Sequence, residues 1–371
     1  MELSDEDALR LNVLVNTAEA VRIDESAMAV YGLQGEREMH VRLNPTCREE
    51  KYLSLVRQML SGAVLGSPGG YPVFLRRWTR TGEITHAQLD KLLMLGEPEA
   101  VVALTRSATL TDELARRAWW AAPNAEVARR LLENPAVAGM AVAGEIAEFL
   151  LEYLPFETEH RDMVETVRLV LAPGLIGDER RRRLWESGRS KKAYRLGFLF
   201  ATPDELPEVV GARADFGSHA EALGGLARQG NPYAALLRKT LDSPGQGFLE
   251  AAAEVIRRPP DQDVVSLWLN AVGGYFARVR RWSEELRELE SIDRQVDALL
   301  ETEAPLGQVL EACPQLHAEV RAMLFLAHVD EALVTPIFAL TDAVGTVMRK
   351  KIEPVVAPLL QQFAVLRGTG G

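Results

Sequence analysis

Cysteine is almost absent from this 371-residue chain, which has only Cys47 and Cys313. Two thiols set far apart cannot build the bridge framework of a secreted domain, nor supply four thiolates to an iron–sulfur cluster from one chain. A reducing, cytoplasmic home is the expectation. Long apolar runs are scarce too. The best membrane candidate, Ala332 to Met348, is interrupted by Thr335, Pro336, Thr341 and Asp342 and is too short to span comfortably. It reads as a buried helix, and no membrane contact is expected. The opening residues Met1-Glu2-Leu3-Ser4-Asp5-Glu6-Asp7 are acidic where a signal peptide would be basic and then apolar. Excess positive charge is also lacking: 42 Lys and Arg face 53 Asp and Glu, a formal net charge of -11. The whole chain is repelled by phosphate backbones, so a nucleic-acid contact requires a local basic patch.

Motifs of known chemistry are missing as well. No Gly-x-Ser-x-Gly, Cys-x-x-Cys or His-Glu-x-x-His occurs. Cys313 and His317 lie four apart, with His328 beyond, but a third or fourth ligand for zinc cannot be assembled from the spacing. No cofactor, metal or catalytic residue is therefore assigned, although carboxylates are plentiful enough that an unrecognised enzymatic site stays an alternative.

What the chain does have is the apolar and charged content of an ordinary globular protein, 47% and 26%, with length for two or more cores. The first 45 residues differ from the rest. Ser4 can cap a short helix, and three β-like runs follow: Ala20 to Ile23, Ala27 to Tyr31, and Met39 to Leu43. From Thr46 the apolar period becomes helical. Thr46 with Glu49, and Thr85 with Gln88, match capping boxes, and Pro98, Pro123 and Pro135 sit where new short helices would begin. The segment after Asp261 runs to about Glu303 without proline, with Gly273 and Gly274 as its bend. These patterns predict a mainly α protein, an irregular helical-hairpin stack of the solenoid kind with a small N-terminal β-meander. The expected divisions are an α+β element over 1–45, a helical domain over 46–200, a linker over 201–217 and a C-terminal helical domain over 218–371.

Two segments could carry binding. The loop holding Gly66, Ser67, Gly69 and Gly70, with Arg76 and Arg77 downstream, opens a helix. Exposed amides there would suit an anion, but the loop follows a helix rather than a strand and reads first as a plain helix–helix connection, with the anion loop as the alternative. The stronger feature is Arg180, Arg181, Arg182 and Arg183, followed by Arg189, Lys191, Lys192 and Arg195, with Trp185 and Tyr194 interleaved. Guanidinium groups pair with phosphates and aromatic faces stack on unpaired bases, which makes RNA a candidate partner. The other reading is a solvated helix face whose Trp and Tyr point inward. A protein partner is also expected, docking through Trp119 and Trp120 or the acidic stripe after Ser283.

Several segments resemble the DsrS-type sulfur reduction proteins, accessories of reverse dissimilatory sulfite reductase in sulfur-oxidising bacteria. They are Leu9-Arg10-Leu11-Asn12-Val13-Leu14, Ile23-Asp24-Glu25-Ser26, Val64 to Val73, Leu75 to Arg80, Leu95 to Val102 and Leu110 to Trp120. The likeness covers most of the first 280 residues and consists of whole segments rather than a mechanistic motif. It implies a soluble cytoplasmic protein, not itself a redox enzyme, that supports expression or assembly of sulfur-oxidation machinery, with a role in post-transcriptional control. It brings no catalytic residues.

Overall fold

A computed structural model describes residues 3–66, 86–282 and 287–369. The chain is mainly helical, with a small three-stranded antiparallel sheet near its N-terminus. It divides into two compact units, Met1–Pro155 with Pro173–Leu175, and Phe156–Ala172 with Ile176–Gly371.

The first unit opens with α1 (Asp5–Thr17), capped by Ser4, whose Oγ accepts from the Asp7 amide. Three acidic residues in the first turn complement the positive helix end. Strands β1 (Ala20–Asp24), β2 (Ala29–Gln34) and β3 (Arg37–Arg42) form a meander in which Val30 pairs with both Ile23 and Val41. The meander packs on helices rather than standing apart. Val21, Val30 and Val41 share one core with Leu11 and Leu14 of α1 and with Tyr52, Leu53, Val56 and Leu60 of α2 (Glu49–Leu65). Asp7 is fully buried at this junction, where it accepts from the Tyr52 hydroxyl (2.5 Å) and the Asn44 amide (2.8 Å). The predicted Thr46 capping box does not form: a box would place the helix start at Cys47, but α2 begins at Glu49 behind Arg48, which makes no side-chain cap.

Helices α3 (His86–Leu93), α4 (Pro98–Thr105), α5 (Asp112–Ala121), α6 (Ala125–Glu133) and α7 (Val142–Tyr153) follow. Each packs on its sequence neighbours, as a hairpin stack requires. Pro98 opens α4, while Thr111 and Asn124 cap α5 and α6 through their side-chain oxygens. Pro123 stands one residue ahead of the Asn124 cap, and Pro135 leads into a short 3-10 turn instead of α7. The Thr85 capping box lies outside the described residues.

The second unit contains α8 (His160–Val170), α9 (Asp178–Ser187), α10 (Lys192–Ala201), α11 (Phe216–Arg228), α12 (Pro232–Leu241), α13 (Ser243–Arg257), α14 (Gln262–Phe276), α15 (Leu289–Thr302), α16 (Ala304–Ala312), α17 (His317–Leu326), α18 (Thr335–Phe338) and α19 (Gly345–Arg367). Packing here joins chain-distant helices: α10 against α8, α13 and α14, and α19 against α13 and α17. Positions 193 to 199 of α10, Phe198 among them, are all buried, so this helix runs through the core that also holds Phe248, Trp268 and Phe276.

The segment over 201–217 lies within this unit, mostly outside its helices, and is held to it by tertiary bonds: Ser243 donates to the Val210 carbonyl, Lys239 pairs with Asp204, and the Arg213 amide donates to the Leu241 carbonyl. The long helix after Asp261 ends at Phe276, and Gly273 is no bend. A Cβ there would fall inside the Val329 carbonyl oxygen, so glycine lets that strand of chain cross the helix. The helix stops because the next residues are captured by tertiary partners. Arg280 donates to the Ala327 carbonyl (2.6 Å), Arg281 donates to the Tyr233 hydroxyl, and Trp282 stacks on His328.

Candidate binding surface at the Arg180–Arg195 segment

Asp178 and Glu179 place acid in the first turn of α9, where it favours a helix start, and the arginine run follows. Between 178 and 191, six cations stand against three carboxylates, so the region is locally positive in an acidic chain.

The structure sorts the eight basic residues into two sets. Lys192 and Arg195 face inward from α10 and converge on Glu254 of α13. Lys192 Nζ lies 2.7 Å from Oε1, while Arg195 pairs with Oε2. Arg195 is only 4% exposed, and its guanidinium lies 4.4 Å over the Trp185 ring. Burial works against ionisation of Glu254, but the Lys192 and Arg195 charges outweigh it and hold its carboxyl below the usual range. Arg181 reaches the Thr202 hydroxyl at 3.1 Å and the Glu205 carbonyl, pinning the chain after α10. These three residues are structural.

The remaining cations are outside. Arg182 and Arg183 are well exposed and pair with Glu179 at 3.2 and 2.9 Å, contacts that solvent makes weak. Arg180 is exposed beside them. Arg189 is exposed, and Lys191 lies 3.1 Å from the Tyr194 hydroxyl. Both aromatic residues point into the core. Trp185 is buried edge-on against Phe198 and Tyr194 is buried in α10, so neither offers a free face to a base. The inward reading of these rings is the correct one, and stacking on them is ruled out.

Other candidates resolve as follows. Gly66 ends α2 in the left-handed conformation (φ 70°), its amide bonded to the Gly62 carbonyl. Ser67, Gly69, Gly70, Arg76 and Arg77 lie outside the described residues. Trp119 is buried and donates to Glu145 (2.9 Å). Trp120 is covered from within its own unit: its indole donates to Glu38 (2.9 Å), and the Arg22 guanidinium lies 5.1 Å over its ring. Of the acidic stripe, Asp293 and Asp297 pair with Arg321, while Ile292 and Val296 are buried. Cys313 is buried, which pushes its thiol up, and among the described residues no group of three or more His, Cys, Asp or Glu could hold a metal ion. Among them, too, no helix is long and apolar enough to cross a membrane.

Sequence reasoning missed two histidine arrangements. His160 Nδ1 sits 2.5 Å from Asp261 Oδ2, and Asp261 Oδ1 also caps α14 by accepting from the Val264 amide. His328 donates from Nδ1 to the Leu324 carbonyl (2.8 Å) and accepts at Nε2 from the Arg281 amide (3.1 Å). Burial pushes its pKa down to about 4, leaving the ring neutral. His160 and Asp261 are 101 positions apart, and Arg281 and His328 are 47 apart, so no local spacing signals either arrangement.

Compared with family models, curated proteins and solved structures, the chain matches none.

Proposed function

We propose that this chain is a non-enzymatic, cytoplasmic accessory protein of bacterial sulfur oxidation, as its likeness to the DsrS-type proteins implies. It acts in post-transcriptional control by binding RNA through the exposed cations of α9 and the turn after it. The sorting of the basic residues supports this mode: Lys192 and Arg195 are held by Glu254, whereas Arg182, Arg183, Arg189 and Lys191 stand at the surface. With Trp185 and Tyr194 turned inward, recognition rests on phosphate charge and tolerates any base sequence.

The test is a binding titration of the full chain with single-stranded RNA across a salt series. About three to four phosphate contacts give a slope of roughly -2 to -3 in log affinity against log salt. Changing Arg182, Arg183, Arg189 and Lys191 together to Glu abolishes binding on this reading, and an unchanged affinity refutes it. The second reading, a protein-binding scaffold without an RNA role, is favoured by the inward aromatics and by the exposed Glu290 and Glu301 on α15. Recovery of a stable protein partner whose binding survives the four-site variant would select it.

A further inference from the structure

We infer that Glu179 is a built-in competitor for the RNA surface, a carboxylate that occupies two of its guanidinium groups until phosphate displaces it. The inference rests on the RNA reading above and names the regulation of that same surface.

The surface cations differ in availability. Arg189 is exposed and has no ion-pair partner among the described residues, and Lys191 meets a hydroxyl, that of Tyr194, rather than a carboxylate. Arg182 and Arg183 are already engaged. Glu179 precedes them by three and four positions on α9, so one carboxylate lies within reach of both. Its Oε2 is 3.2 Å from Arg182 Nη2, and its Oε1 accepts from Arg183 Nε at 2.9 Å. The segment's other acids, Asp178 and Glu186, hold no arginine among the described residues.

The contact is a brake and not a block. Glu179, Arg182 and Arg183 are all well exposed, and water and salt leave such pairs weak. Glu179 also gives each guanidinium a single oxygen. A phosphate can meet the guanidinium fork with two, which is the stronger arrangement. Because the two arginines share one carboxylate, its displacement releases both.

Fluorescence anisotropy of the full chain with a labelled single-stranded oligouridine at low salt tests this. Glu179→Gln keeps the side-chain shape, removes the charge, and should tighten binding about threefold to fivefold, the combined worth of two exposed helix pairs. The decisive comparison repeats the substitution in a chain carrying Arg182→Gln and Arg183→Gln, which Arg189 and Lys191 keep able to bind. With no guanidinium left to release, the gain should vanish, and helical circular dichroism should be unchanged throughout. A gain that persists in that background marks a net-charge effect and overturns the inference, as does the absence of any gain in the wild-type background. Either result leaves the RNA reading standing. A wild-type chain that binds no RNA refutes that reading, and this inference with it.

Discussion

Replacing Glu254 by Ala is the most direct test of the division between structural and surface cations. The substitution removes the carboxylate on which Lys192 and Arg195 converge. Stranding a buried charge costs about 3–5 kcal/mol when the pair is sealed from water. Glu254 is one-third exposed, and Glu208 stands 3.7 Å from the Arg195 guanidinium as a partial substitute, which moves the expected loss to about 2–3 kcal/mol. In a unit of this size that lowers the melting temperature by about 4–12 °C. Thermal and urea unfolding, followed by circular dichroism, measure it. Arg182→Ala, which removes only the exposed contact to Glu179, is the control and should stay within about 0.5 kcal/mol. Acid adds a second readout. A carboxyl held below its ordinary value stabilises the fold above that value, and this stabilisation is lost as pH falls through the folded pKa. Glu254→Gln should lack that part of the acid loss. If Glu254→Ala costs no more than the control, the assignment of Lys192 and Arg195 to the interior framework is refuted, and both return to the candidate RNA surface.

Two further outcomes follow from the packing. Gly273→Ala drives a methyl into the Val329 carbonyl and should cost upwards of about 3 kcal/mol, while Gly274→Ala, with nothing near its Cβ, should be neutral or stabilising by up to about 1 kcal/mol; equal midpoints for the two variants would sink the crossing-chain account. His328, neutral in the fold at a pKa of about 4 against an ordinary 6.5, binds fewer protons folded than unfolded. Its contribution is complete above the unfolded value and fades as pH drops from 6.5 toward 4, by up to roughly 3 kcal/mol. His328→Gln should flatten that part of the urea-midpoint profile, and parallel profiles for the two proteins would contradict it.

The meander and most helices were legible because they rest on local pattern. The alternating apolar residues of the three strands, Ser4 ahead of α1 and Pro98 ahead of α4 all act within a turn of where they stand. The end of α14 was not legible, since nothing at Ala277–Val279 breaks a helix by itself. It stops because Arg280, Arg281 and Trp282 find Ala327, Tyr233 and His328 across the fold. The candidate site was half legible. Composition located the basic run, but only the third dimension shows that Glu254 claims Lys192 and Arg195 and that Trp185 turns inward.

The meander is finished by residues that arrive late. Arg116 donates to the Gly35 carbonyl, Arg117 pairs with Glu19, and Trp120 donates to Glu38 from 82 positions further along the chain. At translation rates of about 5–20 residues per second, the sheet waits roughly 4–16 s for that cover. Strand β3 stays the outer strand of the sheet even then, and the exposed charges of Arg37, Glu38 and Arg42 along it discourage pairing with another chain at every stage.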